Sequence, residues 1–125
     1  MRVEVYRNLH KQLWSVRALE GPRKGRVIAR CAELVIHGPT FHVQPAGREK
    51  VRKTRRKNVH AFVRGWFDES AAPAWPVKGH PVTYNPYRHD TFVCVRDGRD
   101  AAELGAHSAS FHGDGTLWAY NKDEE

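Results

Sequence analysis

Apolar and polar positions alternate from the start of the chain. Val3 and Val5 sit between polar neighbours and predict a first strand ending near Tyr6. A polar, turn-like run over residues 7–11 leads to a second strand at 13–17. Residues 20–25 form a loop by composition. Residues 26–37, rich in β-branched side chains, predict either one bent strand or two joined near Ala32. Gly38-Pro39 predicts a turn, with the next strand at 40–44. Residues 59–67 alternate cleanly, with Val59, Ala61, Val63, Gly65 and Phe67 on one face and His60, Phe62, Arg64 and Trp66 on the other. Residues 68–80 read as a long loop. Strands follow at 81–84 and 91–96, and Asp97-Gly98 is a hairpin signal. Residues 101–111 carry no decisive pattern, and 112–115 turn into a last strand at 116–120.

Between these strands lies one stretch with helix signals. Pro45 suits a helix start, Glu49 a first turn, and Arg55, Arg56 and Lys57 a last turn. Asn58 suits the left-handed position just past the end, so the expected helix spans residues 46–57. The expected fold is therefore α+β: a mainly antiparallel β-sheet domain over residues 1–120 with one short basic helix, then an acidic tail at 121–125. A weak internal repeat relates Val5-Tyr-Arg-Asn8 to Val82-Thr-Tyr-Asn85 and Leu13-Trp-Ser-Val-Arg17 to Phe92-Val-Cys-Val-Arg96. Residues 29–43 loosely match 106–119 in the same way, which would make two similar β units around the helix. Chance similarity among β segments explains the match equally well.

Composition narrows the class. At 125 residues and 40% hydrophobic content, the chain is one domain able to bury its own core. No apolar run approaches the roughly 20 residues needed to cross a bilayer, and no apolar segment follows the N-terminus as in a signal peptide. Cys31 and Cys94 lack metal or redox spacing and read as free thiols in a reducing cytoplasm.

Charge adds the functional lead. Residues 48–57 hold seven Lys or Arg and one Glu, and the net charge of the whole chain is +7. Without that segment, 14 basic residues face 13 acidic ones, so the surplus is local. Arg48, Lys50, Arg52, Lys53, Arg55, Arg56 and Lys57 on a helix can each reach a phosphate oxygen, with affinity from counterion release. The plainer reading is a solvated, solubilising face. Directly after them, His60, Phe62, Arg64 and Trp66 place two rings and a guanidinium on one strand face, where unpaired bases stack. The competing reading is a second core covered by Phe62 and Trp66. Asn58 is the nearby amide suited to reading adenine in a duplex. Lipid is disfavoured, because Val51 is the segment's only large apolar residue.

Catalytic signals are thin. None of the eight histidines lies in a zinc motif. The best local constellation is His89-Asp90 with His112 and Asp114, and His107 nearby, which would bind a divalent metal and activate water for phosphodiester cleavage. Surface and capping histidines explain the same residues without chemistry. There is no Gly-x-Ser-x-Gly elbow, Walker loop or Gly-x-Gly-x-x-Gly run, so no enzyme activity and no cofactor are expected. Trp75, in Pro73-Ala-Trp-Pro76, is either a partner anchor or a plug at the core's edge.

Two stretches carry a resemblance: Phe41-His-Val-Gln-Pro-Ala-Gly-Arg48 running into Arg56-Lys-Asn-Val-His-Ala-Phe-Val-Arg-Gly65, and Pro81-Val-Thr-Tyr-Asn-Pro-Tyr-Arg88. They are similar to segments of a family of small proteins encoded by bacteriophages and prophages. The resemblance covers about half the chain and brings no activity or catalytic residues to carry over. It implies a small accessory phage protein acting in the bacterial cytoplasm, on nucleic acid or on a host machine. The expectation is a non-enzymatic nucleic-acid-binding protein, with RNA or single strands slightly ahead of duplex DNA. Its rivals are an inhibitor docking the basic helix on an acidic host surface, and a metal-dependent nuclease.

Overall fold

The computed structural model describes residues 1–8, 11–70 and 79–121. Nine strands and one α-helix follow in the order β1 (Arg2–Asn8), β2 (Leu13–Ala18), β3 (Val27–Cys31), β4 (Leu34–Val43), α1 (Pro45–Thr54), β5 (Ala61–Phe67), β6 (His80–Thr83), β7 (Val93–Cys94), β8 (Ser108–Phe111) and β9 (Leu117–Tyr120). A short 3-10 helix, Ala101–Leu104, precedes β8. The strands form one sheet in the order β3-β2-β1-β5-β4-β8-β9-β6-β7, with every pairing antiparallel. The β-rich α+β class holds. The stretches compared as two units, β1–β2 and β6–β7, are each antiparallel neighbours within this single sheet.

Alternation gives the sheet a buried, core-facing side. Val3, Val5, Val16, Ile36, Val63 and Phe111 are buried at 2% exposure or less and share one core. Trp14 of β2 donates its indole N–H to the His112 carbonyl at 2.9 Å and meets the Phe111 ring edge-on at 4.9 Å. Three strands separate β2 from β8 in the sheet order, so this contact requires the sheet to curl over its inner face. The helix sits at an open end of the curl, with Val51 as its buried residue.

Of the two alternatives for residues 26–37, the structure has two strands, parted at Ala32 and Glu33. Other sequence expectations need correction. Gly38-Pro39 is not a turn: β4 runs through it, and the register against β5 shifts between His37 and Thr40. The strand is held from both sides, by β5 and β8, so the one extra residue bulges and the chain keeps its direction. Gly38 takes a positive φ of 62° there and donates to the His107 carbonyl at 2.7 Å. The bulge also explains Gly65, where a Cβ would lie 2.7 Å from the His37 carbonyl oxygen.

The expected strand at 91–96 shrinks to two residues, because the chain folds back early: Cys94 donates to the Arg99 carbonyl and Gly98 to the Cys94 carbonyl, both at 2.8 Å. Cys31 and Cys94 are both free, Cys94 is buried, Cys31 only half-buried, and burial raises both thiols above their ordinary range. Among the described residues, no helix is long and apolar enough to cross a membrane. Trp75 and residues 122–125 of the acidic tail lie outside the described residues.

Candidate nucleic-acid interface

The helix is shorter than its charge pattern suggests. Pro45 occupies the first turn, and the Arg48 N–H bonds the Gln44 carbonyl at 3.0 Å. The end comes at Thr54, whose hydroxyl bonds back to the Lys50 carbonyl at 2.7 Å and accepts the Arg56 N–H at 3.2 Å. Arg55, rather than Asn58, takes the left-handed position, with φ 58° and its N–H on the Val51 carbonyl at 2.8 Å. Extending the helix would add another turn of like charges, so an early stop relieves repulsion. Arg55, Arg56 and Lys57 therefore lie beyond the helix, and Glu49 lies past its first turn.

The cations divide by partner. Arg48 Nε donates to the Pro86 carbonyl at 3.1 Å, and the Arg55 guanidinium lies over the Tyr87 ring, 5.5 Å from its centroid. Glu49 stands 3.9 Å from Arg52 Nη1 and 3.6 Å from Lys53 Nζ, exposed pairs worth only about 0.2–0.5 kcal/mol each. Lys50, Arg56 and Lys57 are exposed, and no carboxylate among the described residues pairs with them.

A polar relay fastens this segment to the sheet. His60 is buried, with Nδ1 3.0 Å from Asn58 Oδ1 and 3.1 Å from the Asn58 carbonyl. Two oxygens around Nδ1 favour the tautomer with its proton there, so Nε2 accepts from the Tyr84 hydroxyl at 2.8 Å. Asn58 also donates to the Gly47 carbonyl at 3.4 Å, and its amide is engaged inside the protein rather than offered to a base. Burial raises the Tyr84 phenol above its ordinary range.

The outward bank expected on β5 does not form as drawn. His60 precedes the strand and turns to Tyr84. Phe62 is buried at 6% exposure, with the His42 ring stacked 5.8 Å away and the Arg64 guanidinium 4.9 Å from its centroid. Arg64 Nε donates to Glu4 Oε2 at 3.3 Å, while Arg17 Nη1 holds Glu4 Oε1 at 3.0 Å. Glu4, 5% exposed, thus gathers two guanidiniums over the outer face. Of the four residues, Trp66 alone is fully open, at 52% exposure. Burial, and then the nearby Arg64, lowers His42 from its ordinary pKa.

Sequence reasoning missed Tyr84, Tyr87 and Arg7. Tyr84 and Tyr87 lie in one of the two stretches that carried the phage resemblance, and the structure brings those stretches together at Arg48–Pro86 and His60–Tyr84, with Arg55, between the quoted segments, over Tyr87. Beside this junction, the open end of the curled sheet forms a cleft of about 360 Å³. Val5, Val63, Phe92 and Phe111 line its depth, and Arg7, Lys57 and Asn58 stand among its polar residues. Among the described residues, no acidic side chain lines it. The Arg7 guanidinium covers the Trp14 ring at 5.0 Å, and its buried Nη1 has no hydrogen-bond partner among the described residues.

The proposed metal ligands are not gathered. His89 Nδ1 accepts the Asn85 N–H at 3.0 Å, and Asp114 caps its own turn through Thr116, which lowers its pKa. His112 is fully buried, with Nε2 2.9 Å from Ser110 Oγ and Nδ1 3.6 Å from Glu33 Oε2. Ser110, His112 and Glu33 thus stand in the order of a nucleophile relay. Ser110 is only 2% exposed, however, and also meets the Tyr120 hydroxyl at 3.0 Å, so no acyl carbonyl can reach it. Among the described residues, no three His, Cys, Asp or Glu side chains group as a metal site.

A family model described as Mycobacterium phage L5 gene 82 protein matches residues 1–117. The "Gene 82 protein" of Mycobacterium phage L5 is 48% identical over 99 residues, covering 74% of this chain and 77% of that protein. No solved structure matches.

Proposed function

The chain belongs to the phage L5 gene 82 protein family, and from that premise we propose that it binds nucleic acid in the cytoplasm of an infected bacterium, without catalysing a reaction on it. Lys50, Arg56 and Lys57 grip phosphates directly, and Arg52 and Lys53 join them by releasing Glu49. Arg48 and Arg55, tied to Pro86 and Tyr87, fix the position of the basic segment on the sheet.

The observation that carries this reading is the set of exposed cations at 50, 56 and 57 without carboxylate partners among the described residues. Surface charge of this kind, clustered on one segment of an otherwise balanced chain, is the electrostatic footprint of a polyanion site. Unpaired strands are favoured over duplex, because the ordered helix spans only ten residues and the cations continue past it into irregular chain beside the exposed Tyr87 ring. Bases stack on such rings whatever their sequence. Trp66, farther along β5, is a second open ring for a longer strand.

Titration of labelled single-stranded RNA, single-stranded DNA and duplex DNA at low salt tests the proposal. Binding to single strands ahead of duplex is the expected result. Failure to bind any of the three contradicts it and favours the rival partner, an acidic face of a host protein docked on the same cations.

A further inference from the structure

We propose that the cleft at the open end of the sheet takes one unpaired nucleotide of the bound strand, with its base inside and its phosphate between Arg7 and Lys57. This deepens the phosphate-gripping reading above and rests on it. The cleft's volume, about 360 Å³, lies within the roughly 300–1,000 Å³ typical of small-ligand sites. The mouths of β-barrels commonly hold such sites, and the open end of this curled sheet has a similar concave form.

The chemistry of the lining selects the occupant. The depth is apolar and partly aromatic, so it suits a flat ring of low charge. Among the described residues, two cations and no acidic side chain line the cleft, so the ligand's charged part is anionic. Arg7 Nη1 is buried without a hydrogen-bond partner among the described residues, and leaving an ionised donor unsatisfied is costly unless an acceptor arrives. A phosphate oxygen is such an acceptor. Lys57 belongs at once to the cleft and to the exposed basic run, so a strand lying along residues 50–57 reaches the cleft without leaving the cations. Val59, 46% exposed beside Lys57, offers an apolar edge over which the base enters.

The test uses the full chain and two probes. The first is a short oligoribonucleotide in which one abasic position is moved along the strand. The second is a set of free nucleoside 5′-monophosphates, followed through the Trp14 indole N–H resonance in the cleft. The expected result is one position at which losing the base weakens binding roughly 5- to 150-fold, the equivalent of one stacked base. Monophosphates shift the Trp14 signal saturably, and both effects shrink in Arg7→Met and in Lys57→Met. Lys57 is exposed, so its variant remains informative if Arg7→Met fails to fold. Equal affinity at every abasic position with an unmoved Trp14 signal overturns the cleft while leaving the phosphate surface standing. If no oligonucleotide binds but monophosphates still shift Trp14, the surface reading falls and the cleft stands as a nucleotide site. Silence from both probes overturns both.

Discussion

The Tyr84 hydroxyl lies 2.8 Å from His60 Nε2, on the far side of an imidazole whose Nδ1 faces Asn58. This pair joins the segment after the helix to the residue just past β6, and the Gly47–Asn58 bond extends the tie back into the helix. The position of the basic run on the sheet therefore depends on a neutral relay beneath it rather than on ion pairs around it.

Tyr84→Phe keeps the ring and removes the donor. The expected cost is about 1 kcal/mol, with faster amide exchange over residues 55–60. Denaturant unfolding and hydrogen exchange check it, and unchanged exchange in that segment would show that the relay does not hold it.

Gly47→Ala sets two effects against each other. Alanine ordinarily improves a helix interior by about 0.5–1 kcal/mol over glycine. Here the added Cβ would overlap the Cβ of His60, which is buried and held at both ring nitrogens. Overpacking of about 1–3 kcal/mol outweighs the propensity gain, so the variant is expected to be less stable. A higher melting temperature in calorimetry would refute this.

Glu4→Gln leaves Arg17 and Arg64 facing each other without the carboxylate between them. Both guanidiniums are partly exposed, so water recovers some of the loss, and a destabilisation of about 1–3 kcal/mol is expected. Adding Arg64→Met should cost less than the sum of the two single changes, because one of the orphaned charges is then gone. A double-mutant cycle by urea unfolding measures that coupling, and strict additivity would deny it.

Stability should fall on mild acidification through His42. Its pKa is held below the ordinary histidine value of 6.5, first by burial and then by Arg64. The unfolded chain therefore takes up the proton more readily than the native one. The resulting stability is complete above 6.5 and declines as pH drops from there through the lowered native value. Melting temperatures of the protein and His42→Gln, compared between neutral and mildly acidic buffer, should differ less in acid than at neutrality. Parallel profiles would contradict the assignment.

The strands were legible wherever one face is core. Val3 and Val5, Trp14 and Val16, and Val63 share the core-facing side of the curled sheet and carry the apolar pattern, although Glu4, Ser15 and Phe62 on the other side are buried as well. The helix start was legible in Pro45, but its end was not, since nothing in Arg55 marks it for a left-handed position that Asn58 suits better. Gly38-Pro39 signals a change of direction, and only the flanking pairs with β5 and β8 make it a bulge. The site was half legible. Charge clustering found the cations, but alternation alone could not tell that Glu4 would draw Arg64 over Phe62. Tyr84, Tyr87 and Arg7 join the site through contacts between distant segments, which no local pattern contains.

The salt dependence of single-stranded RNA binding tests the central claim most directly. Each phosphate contact contributes about −0.7 to the slope of log affinity against log salt on single strands. Replacing Lys50, Arg56 and Lys57 together by glutamine should therefore make the slope shallower by about 2, with the melting temperature little changed because all three are exposed. An identical slope in the protein and the triple variant would mean that these cations touch no phosphate.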